Sequence, residues 1–493
     1  MSIEEGFDRA VDRLWSWARW QVGLTQGKSR LGAAAGFQPS IATGGLVLAA
    51  LAYQLVSGGL LLLYYQPSVY PTETLCGQAA GTTSASPAAW CSTYYIAHSV
   101  PMGGVLLTSH LYGAYVVVFL VLLHLFRGYF VGAYKQPGGR LSWGLGVVLL
   151  LLTLGMGFTG YLLAYTQLSY NATQVSVTLV QALPLVGPSL ANLVIGDGTP
   201  QSLLSRMFAA HVVLLPAAIA LLAFLHKRSP LFPRAFASLA KWGLLYVGML
   251  LGLATLWLWP LPTFAGNSGV SQPATVPAWF FLWLFKLVDF VGVTPEVAML
   301  FAVVVVLFLL LVPFLDRSKS PLPRDRPVFV FLGTSLVGFF VLMTAWGDLA
   351  PGVPITPSEA ALRLGPVLAA NAVAAAVFHW RYQHAVRREV AEPHRVLEGR
   401  STGIRQRSAF ALSPRLFSVL GLIVAVFLLP FGLVLPFLFL IAGVLVHLAE
   451  STKPEVLGKK PTDLPPTGDT VYPFVAFSAA AFLLIVVGLS VFG

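Results

Sequence analysis

Four histidines lie on two strongly apolar segments, His110 and His124 on the first and His211 and His226 on the second. The intervals are 14 and 15 residues. In a helix rising about 1.5 Å per residue with about 3.6 residues per turn, such intervals set two side chains near one face, about 21 to 22 Å apart along the axis. A lone histidine inside a bilayer is costly and often only bonds to a neighbouring helix. Two matched pairs on two segments suit a different task. Each pair can give two axial imidazoles to one iron, which leaves no open position for oxygen chemistry and fits electron transfer. The spacing therefore suggests two stacked haems within one membrane.

The elements that carry these residues must be membrane helices. Of 493 residues, 57% are hydrophobic and 10% are charged, and the mean hydropathy is +0.78. Apolar stretches of about 20 residues recur, each long enough for a hydrocarbon core of about 30 Å. Expected spans cover 41–65, 104–127, 143–165, 208–227, 243–261, 297–315, 327–347 and 361–380. The block 417–448 is too long for one span and contains Pro430 and Pro436, so it reads as a hairpin of two short helices. A last span over 471–492 brings the expected total to about eleven. Pro461, Pro465 and Pro466 mark the linker before it.

The formal charge of +11 does not imply nucleic acid, because the lysines and arginines gather in short loops between spans. Arg13, Arg19, Lys28 and Arg30 precede the first span, and Lys135 and Arg140 follow the second. Lys227, Arg228, Arg234 and Lys241 follow the fourth, Arg317, Lys319, Arg324 and Arg326 the sixth, and a run from Arg381 to Arg407 the eighth. All these loops fall on one side, which the positive-inside rule makes cytoplasmic. Residues 1–40 read as a cytoplasmic amphipathic segment. Loops 66–103, 166–207 and 262–296 then face the periplasm, and the chain is expected in the inner membrane. The two cysteines, Cys76 and Cys91, lie in the first of those outer loops, where oxidising conditions permit a disulfide. Pairing is the expectation, with two free thiols as the alternative.

Glycines support flat cofactors between the helices. Gly44 and Gly58, Gly45 and Gly59, and Gly146 and Gly160 repeat the 14-residue interval on the neighbouring spans. A ring edge can press on backbone only where no side chain stands, and helix packing alone would explain one such pair better than three. Arg127, three residues after His124, could pair with a haem propionate or simply snorkel to the surface.

On these residues the chain resembles the cytochrome b of quinol-oxidising cytochrome bc complexes, especially the branch of oxygenic photosynthesis, where the second histidine interval is also one residue longer. The resemblance runs from Gln54 to Trp346 and joins a four-span cytochrome b to the three spans of a separate subunit IV. It rests also on Gly58, Tyr64, Tyr65, Pro67, Arg127, Trp143, Gly146, Gly160, Tyr161 and Gln167. Pro184, Gly187 and Pro188 resemble the surface hairpin that borders the family's quinol-oxidation pocket. The implied fold is an all-α membrane protein with a di-haem four-helix core at 41–240, a subunit IV-like part at 241–350 and a C-terminal extension at 351–493. The implied ligands are haem and quinone. The implied partners are a Rieske iron-sulfur protein, a c-type cytochrome or another periplasmic oxidoreductase, in a dimeric complex.

Departures from the family bear on mechanism. Its Pro-Glu-Trp-Tyr motif, whose glutamate helps take the quinol proton, reads here Pro277-Ala278-Trp279-Phe280. Alanine cannot accept a proton, so quinol oxidation there needs a substitute base. Asp289 is one candidate, and a surface aspartate is its plainer reading. Leu163-Ala164-Tyr165 replaces Leu-Pro-Trp, and Asn171 stands where tryptophan is usual. The cysteine that holds a covalent extra haem in the photosynthetic branch is Ala42 here, so that cofactor is not expected. A third b haem between His379 and His447 is the weaker alternative to surface histidines beside Arg381 and Arg387. His384, His394 and His98 have no metal-like spacing. Two functions follow: the quinol-oxidising core of a Rieske complex, or a haem wire with an idle outer pocket joining a periplasmic oxidoreductase or multihaem cytochrome to the quinone pool. A subunit outside redox chemistry is the third class, which intact ligand pairs oppose.

Overall fold

The computed structural model describes residues 40–72, 76, 86–226, 246–248, 250–266, 277–318, 320–321 and 325–391. The N-terminal segment, the basic loop from Lys227 to Lys241, the 417–448 hairpin, the 471–492 span, the linker prolines, His394 and His447 lie outside the described residues. The described chain is helical and forms a multi-pass membrane protein. Among the described residues six helices are long and apolar enough to cross a membrane. They are α1 (Ser40–Leu62), α3 (Gly103–Phe130), α4 (Gly139–Leu163), α7 (Pro200–His226), α10 (Pro295–Leu315) and α11 (Pro327–Leu349). Shorter apolar helices are α8 (Tyr246–Leu256) and α9 (Trp279–Val288), and α12 (Pro357–Ala391) covers the expected 361–380 span. Three surface helices complete the set: α2 (Ala88–His98), α5 (Gln167–Gln181) and α6 (Gly187–Ile195).

Local sequence explains the ends. Thr199 caps α7 by accepting from Ser202 N, with Pro200 in the first helical turn, so this rod begins before its apolar stretch does. Thr166 and Ser169 form a reciprocal capping box at the start of α5. Gly132 and Gly138 both take positive φ, which lets the chain turn tightly around the short 3-10 helix Ala133–Lys135 and enter α4.

The spans α1, α3, α4 and α7 form a four-helix core, with α1 against α3 and α4 against α7. The main cluster of buried side chains runs along α3 and α4, including Val117, Val121, Leu125, Tyr129, Trp143, Val147 and Leu150, and extends to Leu309 and Val312 of α10. Polar locks join the later helices to this core. Trp143 Nε1 donates to Leu309 O at 2.6 Å, and Tyr129 Oη donates to Phe329 O at 2.7 Å. Beside them Asp316 accepts from Tyr134 Oη at 2.6 Å, Lys135 Nζ at 2.9 Å and Arg326 Nη1 at 3.1 Å, and Arg326 also donates to the carbonyls of Tyr129 and Phe130. The side chains of Asp316 and Arg326 are each 1% exposed, so Arg326 is part of a buried network although its sequence position reads as a loop cation.

At the opposite end of the molecule Cys76 and Cys91 form a disulfide, with Cα atoms 4.9 Å apart. It packs with Trp90, whose indole donates to Pro262 O and tethers the loop leading to α9. Hereafter this is the disulfide side.

Candidate functional site

Two pairs of imidazoles face each other between α3 and α7. The His110 and His211 rings have centroids 6.3 Å apart at an interplanar angle of 81°. Nearer the Asp316 end, His124 and His226 are also 6.3 Å apart, at 72°. An iron held between two imidazoles needs metal–nitrogen bonds of about 2 Å and about 1.1 Å more from each nitrogen to its ring centre, or about 6.2 Å in all. Both gaps meet that requirement.

Hydrogen bonds determine which nitrogen is presented. His211 Nδ1 donates to Met156 O at 3.1 Å, and His226 Nδ1 donates to Ser142 O at 2.9 Å. At His110 the partner is Ser57 Oγ at 2.8 Å. That hydroxyl already donates to Tyr53 O at 2.8 Å, so it accepts from His110 Nδ1–H. In all three the Nδ1 proton is engaged with the protein, and Nε2 keeps its lone pair for a metal. Gln54 Nε2 donates to His110 O at 3.0 Å and ties α1 to the same turn of α3.

Each ring also lies on a glycine of the adjacent span. A Cβ built at Gly58 would lie 3.1 Å from His110 Cε1, one at Gly146 3.4 Å from His226 Cε1, and one at Gly44 3.5 Å from His124 Cε1. At Gly160 it would overlap the His211 ring. The glycines thus give room first of all to the imidazoles. Gly45 is buried, whereas a Cβ at Gly59 would meet nothing within 4 Å. Among the described residues no group of three or more His, Cys, Asp or Glu converges on a point. A metal gripped by two imidazoles alone must bring its remaining ligands with it, as an iron porphyrin does, so the residues present fit haem.

The segment Pro277-Ala278-Trp279-Phe280 enters between the helices. Ala278 caps α9 and is buried against Val118 of α3, and Phe280, 2% exposed, presses on Gly157 of α4 and stands edge-on to Tyr115 at 6.2 Å. Trp279 faces Phe340 of α11. Asp289 terminates the other end of α9, about 16 Å along the helix from Ala278. Its carboxylate takes an ion pair from Lys286 Nζ at 2.9 Å. Lys286, 1% exposed, also donates to Ala350 O and Val353 O. The ion pair joins residues three apart in sequence, but the two carbonyls that complete the Lys286 cage come from the α11–α12 turn and carry no sequence signal.

Tyr165, Gln167 and Asn171 clamp the loop before α9. Tyr165 takes φ 47°, its carbonyl accepts from Ala265 N, and Gln167 N donates to Thr263 O. Gln167 Oε1 accepts from Gly266 N, while its amide nitrogen donates to Asn171 Oδ1 at 2.9 Å. Asn171 therefore orients the glutamine that holds this loop. Arg127 occupies the last turn of α3, one turn beyond His124. Pro184 lies in the turn between α5 and α6, where Leu185 is 99% exposed, and Gly187 and Pro188 open α6.

Comparison with known proteins accords with this geometry. The family model described as Cytochrome b(N-terminal)/b6/petB matches residues 115–238, and that described as Cytochrome b(C-terminal)/b6/petD matches 265–362. A cytochrome bc complex cytochrome b subunit of Chlorobaculum thiosulfatiphilum is 32% identical over 330 residues, 61% of this chain and 72% of that one. This chain belongs to the cytochrome b family. The cytochrome b of Sulfolobus acidocaldarius is 33% identical over 382 residues, covering 66% of this chain and 64% of the archaeal protein. The chain thus spans just under two thirds of that relative's length. A menaquinol:cytochrome c reductase cytochrome b subunit of Geobacillus thermodenitrificans is 35% identical over 178 residues, 36% of this cytochrome b and 71% of that one. Among solved structures, a chain of a hyperthermophilic respiratory Complex III shares the fold, with a TM-score of 0.52 at 23% identity over 69% of this chain and 90% of its own.

Proposed function

We propose that this cytochrome b is the di-haem membrane subunit of a bc-type quinol oxidoreductase, with His110 and His211 holding one b haem and His124 and His226 the other. The observation that carries this reading is the pair of equal 6.3 Å imidazole gaps, stacked along the same two helices. Haem held between these imidazole pairs would supply one-electron transfer across the bilayer. The chain's own residues do the positioning. Ser57, the Met156 carbonyl and the Ser142 carbonyl fix the ring tautomers, and Gly44, Gly58, Gly146 and Gly160 admit the rings. Arg127, in the last turn of α3, would pair with a haem propionate on the Asp316 side. By the distribution of basic loops that side is cytoplasmic, and the disulfide side is periplasmic in an inner membrane. Partners are quinone, lipid, a Rieske protein and a c-type cytochrome, in a dimer.

A second reading is favoured by one specific observation. Ala278 and Phe280 fill the family's proton-accepting position with buried apolar groups, and the Asp289 carboxylate is occupied by Lys286 at the far end of α9. A silent outer pocket would make the subunit a wire between a periplasmic oxidoreductase and the quinone pool. Quinol oxidation by the purified complex, with its subunits identified by mass spectrometry, separates the two. Turnover blocked by outer-site inhibitors in a complex holding a Rieske subunit supports the first. Insensitive electron transfer with another oxidoreductase as partner overturns it. For the ligands, replacing His110 or His211 is expected to remove one haem's optical signal and replacing His124 or His226 the other. Unchanged spectra in all four variants would refute the assignment.

A further inference from the structure

The two histidine intervals differ by one residue, yet both pairs meet with the same 6.3 Å spacing. On a regular helix this is impossible. At about 100° per residue, 14 residues end about 40° short of four turns and 15 residues end about 60° beyond them, a difference of about 100°. With side-chain tips about 5–6 Å from the axis, such a swing would move the His226 ring about 8 to 9 Å away from His124.

The backbone of α7 removes the difference at one place. Residues Ala210–Leu214 form a π-turn, closed by Leu215 N donating to Ala210 O five residues back. A single π-turn takes in one residue more than an α-turn without advancing the face. It begins one residue before His211, and Val213 and Leu214 are 60% and 64% exposed, so the surplus lies on the lipid-facing surface where it disturbs no packing. Pro216 follows at once. Proline lacks the N–H that the ladder would next require and its ring crowds the carbonyl four residues back, so an α-turn is disfavoured where the wide turn lies.

We infer that the Ala210–Leu214 π-turn, set by Pro216, is a register device that absorbs the fifteenth residue and brings His226 opposite His124. This rests on the two-haem reading above. It makes an unusual prediction: α7 tolerates the loss of a residue that α3 does not. The experiment is haem content per chain and reduced-minus-oxidised spectra of the intact purified complex. Deleting Val213 together with Pro216→Ala leaves a 14-residue interval on regular helix and is expected to retain two haems per chain. Deleting Leu123 of α3 is expected to reduce the content to one, with the His110–His211 signal kept. Inserting one alanine between Leu214 and Leu215 is expected to do the same. Loss of the His124–His226 haem from the Val213 deletion, with the other haem kept, would overturn the inference. Two haems in the insertion variant would overturn it equally, and decides the matter if the deletion fails to fold. A wild-type chain with fewer than two haems would instead remove the functional reading.

Discussion

Replacing Gly160 by alanine exchanges one hydrogen for a methyl group at a place already filled. The new Cβ would overlap Cε1 of His211 and lie 2.9 Å from its Nδ1 and 3.1 Å from its Nε2, so the imidazole itself must move. Movement is resisted by the Met156 carbonyl and Thr159 hydroxyl on Nδ1, and by the 6.3 Å spacing that an iron demands. Overpacking of this kind costs about 1–3 kcal/mol. At about 1.4 kcal/mol per tenfold, that is about 5- to 140-fold in occupancy of the disulfide-side haem. The same substitution elsewhere forms a graded series: Gly58→Ala, at 3.1 Å from His110, is expected to be milder, Gly146→Ala and Gly44→Ala near neutral, and Gly59→Ala silent. Haem-to-protein ratio and the midpoint of each b haem, measured in detergent for all five variants, give the readout. A Gly160→Ala protein with wild-type haem content and potentials, or a Gly59→Ala protein as impaired as Gly160→Ala, would refute the reasoning.

Four further outcomes follow from the polar contacts. Asp316→Asn leaves Arg326 buried without its counter-charge, and is expected to destabilise the chain by about 3–5 kcal/mol, read as faster thermal inactivation in detergent. Burial pushes the Asp316 carboxyl up, but hydrogen bonds from Tyr134, Lys135 and Arg326 and the Arg326 charge outweigh it and hold the group below its ordinary 3.8. Its stabilisation is therefore complete above that value and lost as pH falls through the lower folded-state value, so acid inactivation of the wild type should steepen below pH 3.8 while Asp316→Asn lacks that step. Ser57→Ala removes the acceptor on His110 Nδ1 and with it some ligand basicity. The disulfide-side haem should then rise in potential by up to about 60 mV, the one-electron equivalent of about 1.4 kcal/mol, with the other haem unmoved. Lys286→Met removes one ion pair and two carbonyl contacts at the end of α9. It should cost about 1–3 kcal/mol in stability, and a loss of haem signal instead would place Lys286 in a different role.

The histidine pairs, their glycines and the six long spans were legible because helix period and hydropathy encode them directly. His110 with His211 and His124 with His226 needed only the topology of alternating spans. Other features depend on information that neither signal carries. α7 starts at Pro200, ahead of the expected 208, because a capping threonine and a polar turn extend a helix beyond its apolar stretch. Lys135 and Arg326 read as loop cations, yet three elements converge to bury them around Asp316. That convergence is tertiary.

Asn171 and Ala278 show the same limit at the site. Each is a departure from the family when taken alone, and sequence reads both as losses. In the fold they differ. Asn171 accepts a hydrogen bond from Gln167 Nε2 and so orients the glutamine, which in turn holds Gly266 of the loop entering α9. Ala278, at the end of that loop, packs with Val118, Phe280 and Tyr115 and carries no carboxylate of its own. The loop is thus held firmly, and its tip is buried among apolar groups. If the proposed oxidoreductase has its outer quinol site at this tip, the proton must go to a group outside the Ala278 cluster, and inhibitor binding without proton-coupled turnover would reveal that no such group serves.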